Sequence, residues 1–369
     1  MAICILGAGS IGCFTGLSLA KAAGQQYPAD HVASRDHDIV FVGRQRLQSR
    51  FVDAGFSIQA NAASQPDRPL SASDTLRFTS SHEALQTASL VLVCVKSGDT
   101  VASGELIRQH CPEDALIVSL QNGVDNAAIL RAQCSQTVLG GMVPFNVAQI
   151  EQADGSLLFQ QTTGGNIVVE DPRSQACSPR QIHALTQVLK SSQAIYDTER
   201  WRITLTNNIE GVQWSKLLMN LNNAVNALSG RPLKAMLLQR DYRRAVAMAV
   251  EEALGVVRQR KVRLARIGLV YPPTLPCLLR LPTPLFRLVA KSSLNIRDTA
   301  SSSMQDDLKM GRATEVDYIN GKIVALAQEM NMDAPINQTL VSLIRSAERD
   351  PTRPAMSAST LLQCLASEN

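Results

Sequence analysis

The sequence predicts an α/β domain built on a parallel sheet, followed by a mostly α-helical domain. Short and almost entirely apolar runs alternate with helical patterns through the first half of the chain, as expected for βαβ units. Long helical patterns dominate from about Ser178 onward. The chain of 369 residues is long enough for two or three domains, each with its own core.

Five runs in the first half have the composition of parallel strands that are covered on both faces. They are residues 2–6, 38–42, 90–95, 116–120 and 138–143. Helical spacing lies between them at residues 11–23 and 82–87. We expect these elements to form the first domain, over residues 1–200, with a parallel sheet at its centre.

The second half of the chain has a different pattern of apolar residues, with the spacing of long helices. Helical patterns cover residues 179–192, 210–228, 242–268, 315–331 and 337–349. We therefore expect a mostly helical domain over residues 201–369. The proline-rich span 272–284 predicts an ordered loop between helices, and the polar residues from about 351 predict a loose tail.

The composition narrows the classes of function. A net charge of +4 and only 4% aromatic residues argue against a nucleic-acid-binding surface. Eight scattered cysteines form no CxxC pair and no Cys/His cluster, which predicts a reducing cytoplasm and no metal site. The first basic residue, Lys21, follows the apolar N-terminal stretch, so neither a secretory signal nor a membrane span is expected.

A GxGxxG motif follows the first predicted strand and opens the first predicted helix. Its residues are Gly7, Ala8, Gly9, Ser10, Ile11 and Gly12. In a Rossmann-type domain the first glycine permits the tight turn, the second lets a pyrophosphate approach the backbone, and the third allows close packing of helix on strand. The phosphates would lie at the positive end of the helix. The alternative is a glycine-rich turn without a ligand.

The end of the second strand distinguishes NADP from NAD. An NAD enzyme usually carries an acidic residue there, whereas this strand is followed by Gly43-Arg44-Gln45-Arg46. A guanidinium can hold a 2′-phosphate, so Arg44 predicts a preference for NADP. The alternative is a pair of solvated surface arginines. Residues 26–36 have the character of a loop insertion before this strand.

Two further strands end in polar residues, Lys96 and Asn122. Ligands of open α/β sheets bind outside the carboxyl ends of the strands, where these side chains could meet ribose, nicotinamide or substrate. Either residue alone could be an ordinary turn residue. Together, at successive strand ends, they favour a binding site.

A polar stripe marks the helical pattern at residues 210–228. Lys216, Asn220 and Asn223 fall at i, i+4 and i+7 among leucines, which is costly to bury unless a polar group faces them. The alternative is a solvated helix face. A second polar segment runs through Ser301–Asp307 and on to Thr314-Glu315, where the last two residues could simply cap a helix.

In this order the motifs GAGSIG, VGR, VKS, QNG, KLLMN and SSSMQDD…TEVDYING resemble the ketopantoate reductase family over residues 1–350. The resemblance implies NADPH-dependent reduction of 2-dehydropantoate to (R)-pantoate, on the route to pantothenate and coenzyme A. It also implies a Rossmann-type domain followed by a helical domain like the C-terminal domain of 6-phosphogluconate dehydrogenase, with the active site in the cleft.

The resemblance assigns roles to individual residues. Lys216 corresponds to the proton donor, and Glu315 to a residue that supports the cofactor and the lysine. Asn220 and Ser303 correspond to substrate ligands. Lys96, Asn122 and Asn146 correspond to cofactor contacts of the family, and Asn122 also corresponds to a position near the substrate.

The chain departs from the family pattern at two substrate positions. Ala224 stands where the family has a second asparagine eight residues after the lysine, and Asn223 could substitute for it because i+7 lies closer to the direction of the lysine. Ala300 stands where the family has an asparagine, three residues before Ser303. Both changes leave the reduction credible and the identity of the 2-oxo acid open.

Two alternatives to ketopantoate reduction remain. One is an NADPH-dependent reductase of another 2-oxo acid or of an imine on the same fold. The other is a non-catalytic NADP-binding sensor, against which Lys216, Ser303 and Glu315 argue. The expected partner is a small-molecule 2-oxo acid, not a nucleic acid or a membrane, and a homodimer is compatible with the sequence.

Overall fold

The computed structural model describes residues 1–25, 38–60, 65–73, 75–199, 201–291, 294, 298, 300–350, 352 and 355–367. These residues divide into two compact units, Met1–Ile209 and Glu210–Asn369. The proposed loop insertion at 26–36 lies outside the described residues.

The first unit contains an eight-stranded, mostly parallel sheet among its described residues. Its strands in chain order are β1 Ala2–Leu6, β2 Asp38–Val42, β4 Leu76–Thr79, β5 Ala88–Val93, β6 Leu116–Ser119, β7 Thr137–Met142, β10 Ile167–Glu170 and β11 Ile203–Thr206. Their order in the sheet is β11-β10-β7-β6-β5-β1-β2-β4, and the β10–β7 pair is antiparallel. The chain order reverses between β1 and β5, the point at which doubly wound sheets bind nucleotides.

Three strands form a second, smaller sheet that the sequence analysis missed. They are β3 Phe56–Gln59, β8 Val147–Glu151 and β9 Leu157–Gln161. Gln160 on β9 and Gln59 on β3 are both buried, and Gln160 Nε2 donates a hydrogen bond to the side-chain oxygen Oε1 of Gln59. The buried glutamines interrupt the apolar pattern of β3 and β9, so neither strand gives a long apolar run in the sequence.

Helices cover the two faces of the large sheet, as apolar parallel strands require. The described residues of this unit include the helices α1 Ser10–Gln25, α2 Gln45–Ala54, α3 Thr100–His110, α4 Asn126–Gln133 and α5 Pro179–Glu199. Residues 82–87 form a short 3₁₀ helix that Ser81 caps. One core cluster includes Phe14 of α1 with Ile3 and Ile5 of β1, and a second includes Cys4, Val91 and Ile107.

The described residues of the second unit form helices and connecting segments, with an isolated β-bridge between Ile267 and Val270. Its helices are α6 Ile209–Asn220, α7 Asn222–Ser229, α8 Leu233–Leu237, α9 Arg240–Gln259, α10 Leu275–Arg280, α11 Thr283–Val289, α12 Ser303–Lys309, α13 Val316–Glu329, α14 Pro335–Arg349 and α15 Ala358–Ala366. The predicted α/β domain followed by a mostly helical one is therefore confirmed. Among the described residues, no helix is long and apolar enough to span a membrane.

Two predicted helices end or break earlier than expected. The helical pattern at 210–228 forms two helices, because the regular helix is interrupted at Leu221. At this point Asn222 Nδ2 donates to the Met219 carbonyl over 2.6 Å. The pattern at 242–268 ends at Gln259. Lys261 adopts φ 59° and Val262 N donates to the Val257 carbonyl over 3.4 Å, which is a Schellman-type ending without its usual glycine.

Two predicted irregular segments are helical instead. The span 272–284 forms a 3₁₀ turn at Pro272–Thr274, then α10 and the start of α11, since prolines fit the first turn of a helix. The expected loose tail contains α15, which Ser357 caps and which buries Leu361 and Leu365.

Candidate active site

The glycine motif forms a tight turn at the carboxyl end of β1. Gly7 adopts φ 97°, and its N–H donates to the Val42 carbonyl at the end of β2 over 3.1 Å. A Cβ on Gly7 would lie 2.6 Å from Val95 N, just beyond β5, and a Cβ on Gly12 would lie 2.3 Å from the Gly7 carbonyl. The first and third glycines are therefore required by packing between the turn, the helix and the neighbouring strand.

Gly9 differs from the other two glycines of the motif. It is exposed, and a Cβ at this position would have no heavy atom within 4 Å. Packing within the protein therefore does not demand a glycine here. A binding site for a pyrophosphate does require a glycine here, because the missing Cβ leaves the backbone open beside the first turn of α1. The residues present fit a dinucleotide.

Arg44 lies beside this turn at the carboxyl end of β2. A Cβ on the preceding Gly43 would lie 2.7 Å from the Ala8 Cβ, so the two turns are in close contact. The Arg44 carbonyl accepts hydrogen bonds from the first turn of α2, and its exposed side chain makes no capping bond. A guanidinium in this place can meet the adenosine ribose or its 2′-phosphate.

The turns after β5 and β6 are tied together by buried polar side chains. Ser97 Oγ donates to the Asn122 carbonyl over 2.8 Å, and Asn126 Nδ2 donates to Ser97 Oγ over 3.2 Å. Thr100 Oγ1 donates to Asn126 Oδ1 over 2.8 Å. The exposed Lys96 immediately precedes this cluster. The structure thus brings the segments of Lys96 and Asn122 together, as predicted.

The sequence analysis missed the cluster that holds these turns, namely Ser97, Thr100, Gln121 and Asn126. Gln121 Nε2 donates to Thr100 Oγ1 over 2.7 Å, so the whole cluster is internally bonded. In the sequence, Ser97 and Gln121 belong to the VKS and QNG motifs, and Asn126 follows Asn122 by four residues at the start of α4.

Asn146 lies between β7 and β8. Its N–H donates to Thr163 Oγ1 over 2.8 Å, and its side chain is exposed. The preceding Phe145 is buried and meets Phe14 of α1 edge to face at 5.6 Å between ring centroids. This contact holds the start of the segment against the helix that opens the glycine motif.

In the helical unit, Lys216 lies on α6 among buried neighbours. Trp214, Ser215, Leu217 and Leu218 are all buried, whereas the lysine itself keeps partial exposure. Desolvation by the surrounding protein lowers the pKa of Lys216 from 10.5 to about 8, and the carboxylate of Glu315 opposes this fall. A lysine in this state is a stronger acid than a solvated one and is still largely protonated near neutral pH.

Glu315 is half-buried at the residue before α13. The capping interpretation holds for its neighbour only: Thr314 Oγ1 accepts from Val316 N over 3.3 Å, whereas the Glu315 side chain makes no cap hydrogen bond. Its carboxylate acts on Lys216 instead. The resemblance implies that Glu315 supports the lysine, and that role stays a prediction with which this interaction is compatible.

The three predicted substrate ligands of this unit lie on three helices. Asn220 ends α6, Asn223 lies in the first turn of α7, and the exposed Ser303 begins α12. Helices α7 and α12 pack together, and Ser302 Oγ donates to the Asn223 carbonyl over 3.4 Å. The single helix predicted for these residues is two, so Asn223 lies on α7 whereas Lys216 and Asn220 lie on α6.

Ala224 and Ala300 occupy different surroundings. Ala224 is fully buried in α7, and the Ala300 carbonyl accepts a hydrogen bond from Leu233 N over 2.8 Å. Among the described residues, no group of His, Cys, Asp and Glu is arranged to hold a metal ion.

Comparison with known proteins identifies relatives of both units. Family profiles described as "Ketopantoate reductase PanE/ApbA" and "Ketopantoate reductase PanE/ApbA C terminal" match residues 3–173 and 208–348. A 2-dehydropantoate 2-reductase from Halobacterium salinarum is 26% identical over 297 residues, which cover 79% of this chain and 84% of the relative.

Solved structures show the same fold. A PanE/ApbA family ketopantoate reductase from Ralstonia eutropha JMP134 has a TM-score of 0.71 at 24% identity, covering 96% of this chain and 100% of that one. D-mandelate dehydrogenase, solved with NADH and anilino(oxo)acetate, has a TM-score of 0.70 at 16% identity and the same coverage. The motifs, the fold and the two matched profiles agree, and the chain belongs to the ketopantoate reductase family of oxidoreductases.

Proposed function

We propose that this protein reduces 2-dehydropantoate to (R)-pantoate with NADPH, a step toward pantothenate and coenzyme A. The observation that carries the proposal is Lys216, whose pKa desolvation lowers to about 8 while Glu315 opposes the fall. The relative from Halobacterium salinarum that is named for this activity supports the choice of substrate.

The first unit would hold the cofactor. The open backbone at Gly9 would receive the pyrophosphate, and Arg44 the 2′-phosphate. The strand-end residues Lys96, Asn122 and Asn146 would line the rest of the dinucleotide. When bound, NADPH supplies the hydride that reduces a ketone carbon.

Lys216 would act on the ketone oxygen. Its ammonium group donates a hydrogen bond to that oxygen, stabilises the negative charge that develops there, and gives up its proton. A pKa of about 8 makes this transfer easier than from an ordinary lysine with a pKa of 10.5. The carboxylate of Glu315 keeps enough of the lysine protonated for it to serve as the acid.

The carboxylate and hydroxyl groups of the substrate need hydrogen-bond donors and acceptors. The side chains of Asn220, Asn223 and Ser303 supply both kinds in the helical unit, and Asn122 supplies them in the first unit.

We also expect the enzyme to act in the cytoplasm and to form a homodimer. A measurement of its molar mass in solution would reveal the homodimer.

The proposal is tested by following the oxidation of NADPH with a panel of 2-oxo acids. We expect the highest kcat/KM with 2-dehydropantoate, and a lower kcat/KM when NADH replaces NADPH. A set of 2-oxo acids of graded size, each assayed with and without an amine, covers the alternatives. Turnover of another member at a hundredfold higher kcat/KM would overturn the choice of substrate.

A second candidate is the reduction of a different 2-oxo acid or of an imine. Ala224 and Ala300 favour it, since both replace asparagines at positions that the family resemblance assigns to the substrate. D-mandelate dehydrogenase has the same fold, and its complex contains anilino(oxo)acetate. A purely cofactor-binding sensor would bind NADPH and turn over no member of the panel.

A further inference from the structure

Two buried carboxamides join the helices that carry the predicted substrate ligands. Asn226 lies on α7 and is 0% exposed, and Gln305 lies on α12 and is 2% exposed. Neither residue has a role in the proposed chemistry. Both lie within three residues of a predicted substrate ligand, Asn223 and Ser303 respectively.

The carboxamide of Asn226 uses both of its ends. Its Oδ1 accepts from the backbone N–H of Ser302 over 2.9 Å, and its Nδ2 donates to the Arg231 carbonyl over 2.9 Å. Asn226 therefore fixes Ser302, which lies 76 positions later in the chain and directly precedes Ser303.

Gln305 on α12 also bonds to the segment that contains Asn226 and Arg231. Its Nε2 donates to the carbonyls of Arg231 over 3.1 Å and of Asn226 over 3.4 Å. Its backbone N–H donates to Ser302 Oγ over 3.3 Å, and this hydroxyl contacts the Asn223 carbonyl over 3.4 Å. Asn226, Gln305 and Ser302 thus form one network, the α7–α12 link, between the segments of Asn223 and Ser303.

Such a network is expensive to break. A buried polar group that loses its partner costs about 1–3 kcal/mol, so the bonded arrangement strongly favours one register of α7 against α12. Substrate ligands need to be held within about 0.5 Å of their working geometry, and second contacts behind them supply that precision.

The geometry points to Asn226 and Gln305 as positioning residues that hold Ser303 and Asn223 in the register required to bind the 2-oxo acid. This inference rests on the proposed function, because it takes Ser303 and Asn223 as substrate ligands. It adds that the affinity for the substrate depends on two side chains that do not themselves contact it.

The test compares Asn226→Ala and Gln305→Ala with a matched control, Asn337→Ala. Asn337 is also 0% exposed in the helical unit, where its Nδ2 donates to the Ala249 carbonyl over 3.1 Å and its Oδ1 accepts from Asn320 over 3.0 Å. The control loses a buried asparagine of the same kind from helix α14. The measured quantities are Tm, the Kd of NADPH, and KM and kcat for 2-dehydropantoate.

We expect Asn226→Ala and Gln305→Ala each to raise KM at least tenfold, with the Kd of NADPH and the pH profile of kcat unchanged. The double variant should raise KM by less than the product of the two single effects, since both residues act through one network. The control should lower Tm without raising KM. Should Asn226→Ala fail to fold, Gln305→Ala still carries the test, because it leaves the Asn226–Ser302 bond in place.

The inference is overturned if both variants keep KM within twofold of the wild type, or if the control raises KM equally. These results differ from a failure of the proposed function, in which the wild-type enzyme itself turns over no 2-oxo acid and shows no binding of 2-dehydropantoate by calorimetry. That result would overturn both.

Discussion

Lys216 on α6 and Glu315 at the start of α13 interact electrostatically: desolvation lowers the pKa of the lysine to about 8, and the glutamate carboxylate opposes that fall. The two residues are 99 positions apart in the chain, so only the folded helical unit creates the pair. Desolvation makes the lysine a stronger acid, and the carboxylate of Glu315 keeps more of it charged near neutral pH.

The first prediction concerns the pH dependence of the reduction. In the proposed mechanism the protonated lysine is the active form, so kcat should be constant well below pH 8 and fall about tenfold per pH unit above it. The measurement is kcat with saturating NADPH and 2-oxo acid from about pH 6 to about pH 10.

Glu315→Gln provides the control for that profile. It removes the carboxylate that raises the pKa of Lys216, so the decline in kcat should begin at a lower pH. A decline that stays in place after this substitution would assign the titration to another group.

The second prediction concerns the cost of burying Lys216. Its pKa is about 8 in the folded protein and 10.5 ordinarily, so the native state binds the proton less tightly than the unfolded state does. Below pH 8 both states are protonated and the native state bears the full penalty, which disappears as the pH rises from about 8 to about 10.5. Lys216→Met should therefore stabilise the inactive protein by about 1–3 kcal/mol at pH 7 and by little at high pH. Denaturant unfolding at two pH values measures this, and an equal gain at both would contradict it.

The third prediction separates the functions of two glycines in the nucleotide motif. A Cβ on Gly9 meets nothing within 4 Å, so Gly9→Ala should leave Tm unchanged and weaken NADPH binding at least tenfold. A Cβ on Gly12 would lie 2.3 Å from the Gly7 carbonyl, so Gly12→Ala should lower Tm as well. Unaltered NADPH affinity in a folded Gly9→Ala variant would show that the pyrophosphate binds elsewhere.

The fourth prediction concerns the choice between NADPH and NADH. Arg44→Ala should weaken NADPH by about 1.5–3 kcal/mol, as expected for a lost hydrogen bond to a charged group, and leave NADH nearly unaffected. Arg46→Ala is the matched control, since this exposed arginine lies two residues later on α2. Equal losses for both cofactors, or for both arginines, would exclude a specific 2′-phosphate contact.

Much of the fold could be predicted because apolar runs report buried strands directly. The runs at 2–6 and 38–42 are β1 and β2 at the predicted residues. The small sheet could not be predicted, since Gln160 Nε2 reaches its acceptor, Gln59 Oε1, only after the strands meet. The end of α9 was missed because Lys261 takes the left-handed conformation that sequence patterns assign to glycine.

The candidate site likewise contains residues that the sequence could predict and residues that it could not. Motif residues such as Gly7 and Lys216 stand out because their type and spacing are unusual for their surroundings. Asn226 and Gln305 do not, because their importance comes from partners that only the tertiary structure supplies. Residues of this kind look like ordinary helix positions until the helices are packed.

The most direct test of the account is kcat of Lys216→Ala with NADPH and 2-dehydropantoate. The fall in kcat should be about 10²–10⁴-fold, the usual contribution of a general acid, while the Kd of NADPH stays within twofold of the wild type. A variant that keeps kcat within tenfold of the wild type would show that Lys216 is not the proton donor.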